Sequence, residues 1–172
     1  MRALFGGRRR SIFSHGKELG HYRNEMFQIT ARIDAMLVAV AGEIEALRRR
    51  DLDPDEAVTR LGVQEEQLDE EVAKLQAMMA PEELHGLHME YETNLERALR
   101  GIVTAERGCA ITKLPHRPPD DEEPYIYYKR GHSNVSHSRL RMAEIVEVLL
   151  NWEPGGPTDA SVAARLERTR QG

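Results

Sequence analysis

Two Glu-x-x-His pairs, Glu18-Leu-Gly-His21 and Glu82-Glu-Leu-His85, carry the most suggestive chemistry in the sequence. On a helix this spacing sets a carboxylate and an imidazole on one face, the way ferritin-like di-iron bundles present ligands to a shared metal. His88 lies one turn beyond His85 on the same face, so these two and His21 or His15 could instead offer three neutral imidazoles to zinc or nickel. The surrounding pattern argues against both arrangements. Heptad counting from Leu19 turns His21 away from the apolar seam, and no further Glu is forced into the core. His88 falls on a seam between Leu84 and Tyr91, where a core histidine hydrogen-bonded across the bundle to Tyr22 or Asn24 is the simpler reading. No cofactor is therefore expected. A divalent-metal bundle on Glu18, His21, Glu82, His85 and His88 is the alternative.

Covalent catalysis has less to stand on. The single cysteine, Cys109, reads as following a helix end, where the carbonyl dipoles hold a thiol protonated. Ser133, Ser136 and Ser138 lie among His132 and His137, but a helix cap explains Ser136 better than a triad does. There is no Gly-rich phosphate loop after a strand. The expected class is an interaction protein, not an enzyme.

Basic clusters are the third kind of candidate. Arg8, Arg9 and Arg10 stand in an acid-free head, and Lys129, Arg130, Arg139 and Arg141 lie close to Tyr125, Tyr127 and Tyr128. Cations interleaved with aromatics can stack and neutralise single-stranded nucleic acid. An overall pI of about 5.8 disfavours that use, and an acidic protein surface or the chain's own acidic middle is the simpler anionic partner. That middle is pronounced: residues 51–96 hold fourteen acids against two bases, Arg60 and Lys74.

All of these side chains must be held by helices. Aromatic residues make up only 5% of the 172, fewer than sheet proteins use, and hydrophobic residues recur at helical steps. Leu19, Tyr22, Met26, Ile29, Ile33, Met36 and Val40 form a heptad seam continued by Ile44 and Leu47, while Leu37, Val38 and Ala41 widen it. This predicts a first helix over about 17–50. Asp53-Pro54-Asp55-Glu56 starts a short helix ending at Gly62, and Leu68, Val72, Leu75 and Met79 continue on a second stretch to Pro81. A third long helix follows, with Leu84, His88, Tyr91, Leu95, Ala98, Ile102 and Ala105 as its stripe, ending near Gly108. Four prolines and an acid run make 109–134 read as a long irregular loop, and a fourth helix is expected near Ser136, with Leu140, Ala143, Val146, Leu149 and Leu150 on its buried side.

The resulting expectation is an all-α antiparallel bundle. A basic extended arm occupies 1–17, the bundle 18–152, and a linker with a weak helix 153–172. One cysteine excludes an internal disulfide framework, no apolar run reaches the ~18 residues of a membrane span, and the head lacks the apolar region of a secretion signal, so a cytoplasmic protein is expected. The proposed contacts, to a partner protein or a second copy, are the surplus heptad stripe (Leu19, Met26, Ile33, Val40) and the Pro/Tyr loop (Tyr125, Tyr127, Tyr128).

Overall fold

The computed structural model describes residues 7–116 and 118–156, with side chains from Gly16 onward. Within them four helices pack as an antiparallel bundle and no strand is present: α1 Gly7–Arg49, α2 Pro54–Ala77, α3 His85–Thr112 and α4 Pro124–Asn151, with one 3₁₀ turn, Glu82–Leu84, leading into α3. Each helix packs against its neighbours in chain order, α4 closes the ring onto α1, and α1 and α3 meet only sparsely across the diagonal. Cross-links set the directions. Arg32 reaches Glu71 and Arg60 reaches Glu43, so α2 runs against α1. Arg139 meets Asp34 and Arg23 donates to the Leu149 carbonyl, while Arg141 meets Glu90 and Gly131 lies against Gly101, so α4 runs against both α1 and α3.

The α1 seam is buried as its spacing requires. Leu19, Tyr22, Met26, Ile29, Ile33, Leu37, Val40, Ile44 and Leu47 all face inward, Leu37 taking the place expected of Met36. α1 ends where Arg50 turns left-handed at φ 64°, and the Asp51 N–H donates to the Ala46 carbonyl at 2.9 Å, the closing bond of a Schellman motif. α2 starts as its sequence dictates: the Asp53 carboxylate accepts from the Asp55 N–H at 2.8 Å, and Pro54 occupies the first turn, where its missing donor costs nothing. The α3 stripe also holds, with Leu84, His88, Tyr91, Leu95, Ala98, Ile102 and Ala105 all buried.

Several expectations need correcting. α2 is one helix of 24 residues passing through Gly62, not two pieces. The loop is 113–123 rather than 109–134, because α3 continues to Thr112 and α4 begins at Pro124, one residue before the first tyrosine. Cys109 thus lies inside α3, fully buried. The buried side of α4 is rotated from the expected one: Tyr127, Tyr128, Val135, Met142, Ile145 and Leu149 face inward, and Leu140 is 62% exposed. The backbone of 7–17 is the start of α1 rather than an extended arm. Residues 1–6, the side chains of Arg8, Arg9, Arg10 and His15, and the weak C-terminal helix lie outside the described residues.

The rotation of α4 has a steric cause. Gly101 and Gly131 let the two backbones touch: a Cβ at 131 would stand 2.6 Å from the Gly101 carbonyl oxygen, and one at 101 would stand 2.9 Å from that of Gly131. One end of this contact is filled by Tyr128, whose ring would lie 2.7 Å from a Cβ at Gly108. Gly131→Ala should therefore destabilise the fold by ~1–3 kcal/mol through overpacking. Gly62→Ala, in open space, should stabilise it by ~0.5–1 kcal/mol through helix propensity. Urea midpoints of the two variants check both signs; equal shifts would show that the α3–α4 contact is not tight.

Candidate functional site

The structure separates the metal-ligand candidates. Glu18 and His21 are exposed on α1, with His21 Nε2 3.5 Å from Glu25 Oε1, and Glu82 and His85 are exposed around the start of α3. His88 alone is buried. Among the described residues no group of three or more His, Cys, Asp and Glu side chains is placed to hold a metal ion. His88 Nδ1 instead shares a 3.0 Å hydrogen bond with the Tyr22 hydroxyl across the bundle diagonal, and its Nε2 stands 3.7 Å from Glu92 Oε1. Burial pushes its pKa below the ordinary histidine value, Glu92 opposes that shift, His85 adds to it, and the Leu75 backbone opposes it again. The same burial raises the Tyr22 hydroxyl, so the pair is a neutral polar bolt in an apolar core.

The residues offered as protein contacts are consumed inside the bundle. Leu19, Met26, Ile33 and Val40 are covered by the chain's own helices, a correction to their reading as a free stripe. Tyr127 and Tyr128 are also core residues, because they stand on α4 rather than in a loop, and only Tyr125 remains 48% exposed, with the Arg48 guanidinium 5.8 Å from its ring centre. Thr112 and Tyr128 share a hydrogen bond, and burial lifts the Tyr128 hydroxyl to about 12. Burial also pushes the Cys109 thiol upward, which is a different cause from the helix end inferred from sequence.

Most of the cationic cluster is turned onto the chain's own carboxylates. Arg130 pairs with Glu122, Arg139 Nε donates to Asp34 at 2.6 Å, and Arg141 bridges Glu90 and Glu144, while Lys129 is exposed. The acid run of the loop is likewise engaged: Asp121 accepts from Arg107 at 2.7 Å and from the Tyr127 hydroxyl at 3.0 Å.

What remains outward is a surface not singled out from the sequence. On the solvent side of α1, Phe27, Ala31, Ala35, Val38 and Gly42 are exposed, Phe27 by 57% and Val38 by 46%. The ionisable residues of this stretch are the half-buried Asp34, held by Arg139, and the exposed Arg32, held by Glu71. Beside this face α1 and α4 leave a groove of about 390 Å³, lined by Phe27 and Ala31 on one wall and Met142, Ala143, Val146 and Leu150 on the other, with the Asp34–Arg139 pair also on its lining. The only hint in the sequence was the excess width of the α1 stripe at Val38.

No family model, curated protein or solved structure matches the chain.

The Tyr22–His88 bolt makes a pH dependence. With the folded pKa depressed, the unfolded state takes up the proton first, so stability is full above the ordinary histidine value near ~6.5 and is lost as pH falls toward the folded one. His88→Leu combined with Tyr22→Phe, which leaves no hydroxyl orphaned, should flatten this acid loss while keeping neutral-pH stability within ~1 kcal/mol of the parent. Melting temperatures from pH 7.5 to 5 measure it; parallel curves for the two proteins would rule the bolt out as the acid-sensitive element.

Proposed function

We propose that the protein is a non-enzymatic helical interaction subunit, docking a helix of a partner polypeptide on the outer side of α1 and the groove between α1 and α4. The reading is carried by one observation. In a chain with 31% charged residues, the solvent side of α1 from Phe27 to Gly42 offers water two ionisable groups, Asp34 and Arg32, already paired with Arg139 and Glu71. Charged residues dominate ordinary exposed helix faces, and contiguous apolar patches of this kind mark binding surfaces.

The groove favours a helical occupant over a small molecule. Its walls are the surfaces of two antiparallel helices, and the small side chains Ala31 and Ala143 let a third backbone approach between them. The adaptor role thus passes from the buried heptad seam and the tyrosines to residues at an angle to that seam. A cytoplasmic setting is part of this proposal, supported by the free buried thiol of Cys109. No described helix is long and apolar enough to cross a membrane.

Photo-crosslinking in cells tests this directly. With p-benzoylphenylalanine in place of Phe27, irradiation should yield a discrete protein adduct, and the same probe at Glu66, exposed on α2, should yield none. No adduct at 27, or equal labelling at both sites, would end the proposal.

A further inference from the structure

Resting on that reading, we infer that the helix docked on α1 is α1 of a second copy, antiparallel to the first about a two-fold axis passing between Asp34 and Ala35. An isologous contact requires each surface to complement itself, so every residue must suit the one at its mirrored position. In the register centred between 34 and 35, Phe27 lies opposite Gly42 of the partner, Ala31 opposite the partner's Val38, and Asp34 opposite the partner's Ala35. Each large side chain meets a small one.

The space around these positions agrees. A Cβ at Gly42 has nothing within 4 Å in one chain, so room for the partner's Phe27 is open there. Ala31 lines the groove against α4, which gives the partner's Val38 a recess to enter. Moving the register by four residues, so that 27 meets 38, would set Phe against Val and leave Gly42 without a knob. Charge is also balanced at the axis: the Asp34 carboxylates that approach there carry their own Arg139, about half exposed on both sides, so each brings a neutral pair rather than a like charge. The contact from 27 to 42 runs for ~22 Å, fifteen steps of helix rise. Closely packed small residues bring the backbones near, which favours tight packing over that length.

Sedimentation equilibrium of the full chain tests the inference. The wild type should have twice its chain mass of 19.6 kDa. Phe27→Asp should weaken dimerisation by about thirtyfold or more, the scale of an interface hot spot, with an unchanged melting curve measured on fully monomeric samples. Gly42→Phe alone should also weaken it, by opposing Phe to Phe. The decisive variant joins Phe27→Gly to Gly42→Phe, which exchanges knob and hole and should restore at least most of the lost affinity. A dimer that fails to recover in this exchange overturns the antiparallel register. A wild-type monomer at all concentrations overturns the second copy as occupant, and an adduct between position 27 and a different protein would then leave the docking reading intact without it.

Discussion

The contact between Gly101 and Gly131 is the constraint on which the rest of the bundle depends. A side chain on either residue would collide with the backbone of the opposite helix, so α3 and α4 approach more closely here than apolar side chains allow. That approach fixes the rotation of α4 about its own axis. With Gly131 against α3, Tyr127 and Tyr128 lie over Gly108, and Val135, Met142, Ile145 and Leu149 turn to the core. Ala143, Val146 and Leu150 are then left facing the flank of α1, and the groove is a consequence of the glycine contact on the far side of α4.

Electrostatics reinforce the arrangement without dominating its stability. The acidic middle of the chain is answered by cations from other helices, as Arg32 does for Glu71 and Arg141 for Glu90, while Lys74 pairs with Glu71 from within α2. Exposed pairs of this kind contribute ~0–1 kcal/mol each, so their main effect is to choose register and neighbour. Glu71 differs because its carboxyl is nearly covered. Burial would raise its pKa, but the hydrogen bonds from Arg32 and Lys74 hold it below the usual value. Pairing also explains why cations that look available to nucleic acid in the sequence are engaged in the folded chain.

Much of this was legible in the residues themselves. The α1 and α3 stripes follow from steps of three and four between apolar residues, and the start of α2 follows from an acid before a proline. The failures have identifiable physical sources. Gly62 reads as a break because glycine weakens helices by ~1 kcal/mol, but the continuous burial of Ala57, Leu61, Leu68 and Leu75 against neighbouring helices outweighs that. Pro124 reads as part of a loop because proline ends helices more visibly than it begins them, and Tyr125-Ile126-Tyr127-Tyr128 has strand propensity that packing against α3 overrides. The outer face of α1 was hidden for a different reason. Whether Val38 widens a core stripe or faces water depends on which side of α1 the other helices cover, and spacing within one helix does not specify that.

The backbone contact between α3 and α4 also limits how such a chain can diverge. A seam residue such as Ile33 or Leu61 can exchange for another apolar residue of similar volume, with neighbours adjusting around it, so most of the core is free to drift in its letters. No second amino acid has the shape required where Gly131 meets the Gly101 carbonyl. Among descendants that keep this architecture, the two glycines with Gly108 one heptad beyond Gly101 would outlast the hydrophobic pattern as the mark of common origin.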